Sequence, residues 1–381
     1  AATTPGGTVQ NYVLDDSYPV ITMSTNKPTL GAGQSATISF DVSLDPVAGE
    51  FTEADVLVTG GASSNFTGSG TSYTATFTPT VGYQGNATID ILYGSFNSSS
   101  GLPNLKPTQL TMVVDTVAPT VLKVNSLPSA GNFKSGDVID INVKFSENVT
   151  VTGTPTLKLE TGTVDRVVNY SSGDGTDTLT FSYTVQAGDT ATDLNYFDAA
   201  SLVVPAGSAI KDAGLNVATL TLPAVTAGTV GNLATNSAIV IDTTAPATVS
   251  ALIAFTPVGG TVVAETLNGT NTNLTATFSY AGDAAGGKAE LVFNNQVVAT
   301  VTNLPAVATN PVTFNVGATS TATLQAVFTS QMIATMQVRI TDAVGNVSTG
   351  NLPLAKTVDF TKPSITAFTG LSSLVAGAQT I

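Results

Sequence analysis

The 381-residue chain contains no histidine, no cysteine and no tryptophan. Without His and Cys there is no catalytic triad, no thiol nucleophile and no zinc site of the usual kinds. Without Trp the chain lacks the ring most used to stack on sugars or bases. The missing cysteines also remove disulfides from a composition that otherwise reads as exported, which fits a secreted bacterial or archaeal protein better than an animal ectodomain. Charge is scarce as well: charged residues make up 10%, against about 25% in ordinary soluble proteins. With Lys+Arg 12 and Asp+Glu 26 the net charge is -14, which excludes sequence-independent nucleic-acid binding and docking on an anionic membrane. No apolar run is long enough for a transmembrane helix, so no membrane insertion is expected. The opening AATTPGG has neither the charged nor the apolar region of an export signal, so any signal is expected to have been removed or to lie elsewhere in a longer protein.

What is present is apolar and β-branched. Hydrophobic residues make up 42%, ample for packed cores. Segments 37–42, 73–77 and 139–145 alternate apolar with polar, the period of half-buried antiparallel strands. Clusters such as GGASSN, GSGTS, SSGDGTD and NGTNTN separate them, and no stretch sustains a 3.6-residue period. The expected fold class is all-β.

A longer period lies above the strands. Asp15, Asp115, Asp242 and Asp359 each follow an apolar pair or a Thr-Val pair, with Pro four residues on and β-branched residues beyond. These aspartates are 100, 127 and 117 residues apart, each about the size of one β-sandwich. Each segment reads as a last strand, a short linker stiffened by Pro, and the first strand of the next unit. The expected organisation is a leading segment 1–15, domains at 16–115, 116–242 and 243–359, and the start of a truncated fourth domain at 360–381. That last expectation rests on the tail from Pro363 to Ile381, which echoes the stretch from Pro19 to Ile38.

Several segments then resemble a known family. Residues 133–139 (FKSGDVI), 145–149 (FSENV), 178–189 (TLTFSYTVQAGD) and 210–214 (IKDAG) resemble the bacterial Ig-like tandem repeats of large cell-surface adhesins. Residues 51–56 and 66–77 resemble a sister family of such repeats, and the third domain resembles them through residues 341–348. The resemblance implies tandem Ig-like antiparallel β-sandwiches in an elongated array, a non-catalytic extender, and a location outside the cell at its surface. Its partners would be the neighbouring Ig-like domains.

Oxygen ligands are the one metal chemistry this composition offers, and they suit hard cations. In a sandwich of this topology the loop before the last strand lies beside the incoming linker, as does the loop after the second strand. Linker Asp115 is thus expected to meet Glu147, Asp212 and Asn216, and linker Asp242 to meet Asp342 and Asn346. In the resembling adhesins, calcium at such junctions stiffens the array. The alternative is that Asp and Asn in these loops cap turns. The first domain's equivalent loop, residues 96–104, carries no carboxylate, so a site there would lean on Asp15, Asp16 and Asp41.

Other acidic groups read as ordinary structure. Residues 173–177 (GDGTD) are expected to form a hairpin turn, and Asp189, Asp193, Asp198, Glu50, Glu53 and Asp55 to be solvated loop residues rather than a glycosidase pair. The aromatic residues Tyr73, Phe77, Phe145, Phe181, Tyr183 and Phe278 are assigned to the core. The leading expectation for function is an adhesin extender. The alternatives are a surface-layer or filament subunit that self-associates by strand addition or calcium-mediated contacts, and a carbohydrate-binding accessory module. No enzymatic role is expected.

Overall fold

The computed structural model describes residues 17–249, 251–264, 266–280, 284–293, 295–306, 311–316, 332–333, 336–352 and 357–360. The leading segment with Asp15 and Asp16, and the tail expected to open a fourth domain, lie outside the described residues apart from Phe360. Nearly all the regular structure is strand, in line with the alternation. In Ala36–Val42 the residues Ala36, Ile38, Phe40 and Val42 are buried, while Thr37, Ser39 and Asp41 face outward or are half-buried. Burying one face of such a strand requires a second sheet opposite it.

Residues 21–115 provide both sheets. One has the order Ile21–Thr25, Ala36–Val42, Ser72–Pro79, Gly61–Ser69; the other runs Thr29–Leu30, Leu110–Asp115, Gln84–Asp90, Leu57–Thr59. The chain switches sheets at Lys27-Pro28: Pro28 has no N–H to donate to a ladder, and Thr29–Leu30 then pairs parallel to Leu110–Asp115. The same device recurs twice. Ala130–Phe133 lies parallel to Ala238–Asp242, and Thr266–Asn268 lies parallel to Thr357–Asp359. Asp115, Asp242 and Asp359 therefore each close the last strand of a sandwich, which is why the aspartates recur in the sequence at domain-sized intervals.

Three separate apolar clusters fill the sandwiches. They are built on Phe40, Phe77 and Met112; on Ile141, Phe145, Phe181 and Tyr183; and on Phe278, Leu291 and Phe314. Tyr73 departs from its expected place only in part, packing against the first cluster from its edge. It is half-buried, stacked on Phe66 with centroids 5.6 Å apart.

Asp189 departs further. Expected in a solvated loop, it is buried, because Arg166 and Tyr183 converge on it from neighbouring strands. Arg166 Nε donates to Oδ1 at 2.7 Å, and the Tyr183 hydroxyl and Gln186 N donate to Oδ2 at 2.6 and 2.9 Å. Burial and the adjacent carboxylate push the Tyr183 hydroxyl pKa far up. The GDGTD segment is the hairpin turn between Arg166–Ser172 and Thr176–Thr184, with Gly173 and Gly175 at positive φ. Its Asp174 accepts Val151 N at 2.7 Å.

Candidate functional site

The functional geometry lies where one sandwich hands the chain to the next. Asp115 ends its strand with both carboxylate oxygens engaged. Oδ2 accepts Gln84 Nε2 at 3.0 Å, and Oδ1 accepts Val117 N at 3.0 Å, an Asx turn that bends the linker. Thr116 Oγ1 accepts Tyr83 N at 2.8 Å, holding the linker to the first sandwich. Three residues on, the linker belongs to the second: Thr219 N donates to Pro119 O and Ser146 N to Thr120 O, both at 2.8 Å. That pairing sets Glu147 beside the incoming linker.

The turn after Ala209–Lys211 completes the junction. Leu215 takes the left-handed conformation (φ 66°), and Asp212 Oδ1 accepts Asn216 N at 2.8 Å. Asn216 then works on both sandwiches. Its amide donors serve Asp212 Oδ2 at 2.7 Å, Asp115 O at 2.8 Å and Val117 O at 3.2 Å. Its carbonyl oxygen accepts Ala32 N, from the first sandwich, at 2.7 Å. Expected as an oxygen ligand, Asn216 also acts as a hydrogen-bond clasp between the two sandwiches, with Ala32 N on its carbonyl oxygen. The backbones meet closely here: a Cβ at Gly31 would lie 1.8 Å from Gly214 O.

Asp115, Glu147 and Asp212 each offer a carboxylate oxygen, and these oxygens all lie within 4.8 Å of one another. Asp212 is buried and the other two are half-buried. Burial raises the Glu147 pKa above its ordinary value, with the neighbouring Asp115 and Asp212 charges adding to the effect. Glu147, expected in a loop, lies within the strand Val138–Thr152 at the register shift between Lys144 and Val149. Three oxygen donors from a linker, a bulged strand and a turn suit a hard divalent cation, whose remaining positions carbonyls and water can fill.

The second junction repeats part of this. Asp242 Oδ1 accepts Thr244 N at 2.9 Å, matching the Asx turn of Asp115. Asn346 donates to Asp242 O and to Asp342 Oδ2, each at 2.9 Å, while Asp342 Oδ1 collects the N–H groups of Val344, Gly345 and Asn346. Asp242, Asp342 and Asn346 are thus brought together as a clasp. Among the described residues only Asp115, Glu147 and Asp212 form a cluster of three carboxylates. At the second junction Lys134 Nζ donates to Gly345 O at 3.2 Å. Sequence reasoning passed over Lys134. Its signal was the FKSGD turn, in which Asp137 Oδ2 accepts Lys134 N at 2.8 Å and orients the residue.

No helix among the described residues is long and apolar enough to cross a membrane. The sequence profile of the bacterial Ig-like domain matches residues 15–113. A search of the curated proteins finds no match. Among solved structures, the chain is similar to the I9–I11 tandem of titin, at 8% identity over 89% of this chain and 100% of that one, with a TM-score of 0.30. It is also similar to InvD of Yersinia pseudotuberculosis, at 16% identity over 87% and 96% of the two chains, TM-score 0.25. The Yersinia pseudotuberculosis adhesin InvE is similar at 14% identity over 46% and 53%, TM-score 0.20. The chain is a series of Ig-like β-sandwiches joined by short linkers.

Proposed function

We propose that this chain is a non-catalytic extender from a bacterial cell-surface adhesin, stiffened where the first sandwich meets the second by calcium held between Asp115, Glu147 and Asp212. The observation that carries the reading is the clustering of those carboxylates from both sides of one linker. Like charges so close repel one another. Unless another interaction offsets that cost, the linker gains by swinging Asp115 away. A divalent cation reverses the sign of the balance and ties linker, strand and turn into one body. The profile match of residues 15–113 to the bacterial Ig-like domain supports the bacterial surface setting. The net charge of -14 keeps such rods apart at high density.

Extracellular calcium modules bind with Kd of about 0.1–1 mM. At a Kd of about 0.1 mM, 1 mM calcium stabilises the folded chain by roughly 1.4 kcal/mol. Calorimetric titration of the chelator-treated full chain is the test. A site in this affinity range that vanishes in Glu147→Gln is the expected result. Calcium heats that are absent, or unchanged by the substitution, contradict the assignment.

A further inference from the structure

The first sandwich carries a second feature that the extender role does not use. Its strand Ala36–Val42 begins near the Gly31–Ala32 turn at the first junction and ends at the opposite pole, where Ser72 pairs with Asp41. In the second sandwich that pole holds Glu147 and the Asp212–Asn216 turn. In the first it holds rings. Phe66 and Tyr73 are stacked with an interplanar angle of 21°, and Phe51 meets each nearly edge-on, at 81° and 69°. Phe51 is buried, but Phe66 and Tyr73 stay half-exposed and line an open cleft of about 730 Å³.

Phe66 is placed there by a bulge. The register of Gly61–Ser69 against Ser72–Pro79 shifts between Ser64 and Thr67, and Asn65 takes positive φ (54°). Such outliers are uncommon for a residue other than glycine, and bulges re-aim side chains. The rim is acidic. Asp45 Oδ1 lies 3.8 Å from the position a Cβ would take at Gly70, and Glu53 also lines the cleft. Nearby acids are committed elsewhere: Asp55 accepts Thr52 N, and Glu50 accepts Asn97 N, each at 2.8 Å. Among the described residues the carboxylates of Asp45 and Glu53 have no hydrogen-bond or ion-pair partner, and no Lys or Arg lines the cleft.

We infer that this cleft receives an arginine side chain of a polypeptide partner, its guanidinium over the Phe66 and Tyr73 rings and its N–H groups toward Asp45 and Glu53. Charge complementarity selects the occupant. A ring surface attracts a cation electrostatically, and two free carboxylates flanking it reinforce that sign. Guanidinium is flat, weakly hydrated and rich in donors, so it stacks and bridges at once where an ammonium does only one.

The test uses the full chain, isotopically labelled on Tyr and Phe rings, titrated in calcium with acetyl-Gly-Arg-Gly-Arg-Gly-amide. Controls are the same peptide with citrulline for arginine, which keeps the shape and removes the charge, and cellotetraose. The arginine peptide is expected to shift the Tyr73 and Phe66 resonances, and citrulline to weaken binding about tenfold. Asp45→Asn and Glu53→Gln, at exposed positions that leave the fold intact, should each weaken it about fivefold, as should Phe66→Ala. Equal binding of the citrulline peptide, indifference to Asp45→Asn, or shifts with none of the probes overturns the inference. A response to cellotetraose alone would make the cleft a sugar subsite instead. Calcium binding at the first junction is unaffected by any of these outcomes.

Discussion

Replacing Glu147 by Gln removes one charge from the Asp115–Glu147–Asp212 cluster while keeping the shape of the side chain. In the wild-type chain Glu147 faces two carboxylates, with oxygens no more than 4.8 Å away. At that distance each like-charge pair costs about 1 kcal/mol in the dielectric of water and several times more at the effective dielectric near a protein surface. Glu147 is only half-buried, so screening keeps the figure near the lower bound. In chelator at pH 7 the substitution should therefore stabilise the chain by about 1–2 kcal/mol, a rise of roughly 3–8 °C in the melting transition of the second sandwich. In millimolar calcium the gap should close to within about 1 kcal/mol, because the wild type gains roughly 1.4 kcal/mol from the cation and the variant does not.

The pH dependence follows with a definite sign. The folded-state pKa of Glu147 is raised, so its protonated form favours folding, and that contribution is complete below the unfolded pKa. It is lost as pH rises through the folded value. The gap between variant and wild type in chelator should thus narrow as pH falls from 7 toward the ordinary glutamate range. Calorimetric melts with and without calcium at both ends of that range supply all four comparisons. A variant that melts no higher than wild type in chelator refutes the argument, because the three charges would then not be opposing one another.

Other residues yield sharper local outcomes. Gly31→Ala would place a Cβ 1.8 Å from Gly214 O, so the first junction should open, seen by solution scattering as a bent particle, with the melting of both cores little changed. Asn216→Ala removes a side chain hydrogen-bonded to Asp115 O, Val117 O, Asp212 Oδ2 and Ala32 N. It should cost about 1–3 kcal/mol in a chemical-denaturation measurement. Arg166→Met leaves Asp189 buried with its charge uncompensated, and should destabilise the second sandwich by about 3–5 kcal/mol in urea unfolding. At the second junction, Lys134→Met should loosen the clasp at Gly345 regardless of calcium, measured by hydrogen exchange over residues 342–346.

The fold was legible because its signals are local. Alternation gave Ala36–Val42 and residues 139–145, but the strand runs on to Thr152, through a stretch around Glu147 expected to be a loop. The recurring aspartates lay at the last-strand ends because an Asx turn there needs an oxygen at that one position, as Val117 N on Asp115 and Thr244 N on Asp242 display. The meeting of Asp115, Glu147 and Asp212 followed from which segments share a pole of a sandwich, although Glu147 comes from a bulged strand rather than the expected loop. What escaped the sequence depends on contacts between distant strands. Asp189 looked like a loop acid because its partner Arg166 lies 23 residues away. Lys134 sits 211 residues from the carbonyl it reaches. Phe66 packs on the edge of the first core while lining a cleft, a placement set by the pairing register at its bulge rather than by composition.

The central claim is that calcium at Asp115, Glu147 and Asp212 fixes the first sandwich against the second. Small-angle scattering from the full chain, first in about 1 mM calcium and then after chelation, tests it most directly. The account predicts a rigid, extended particle in calcium whose maximum dimension falls and whose interdomain flexibility rises on chelation, with Glu147→Gln resembling the chelated form in both conditions. Scattering curves that superimpose with and without calcium would contradict it.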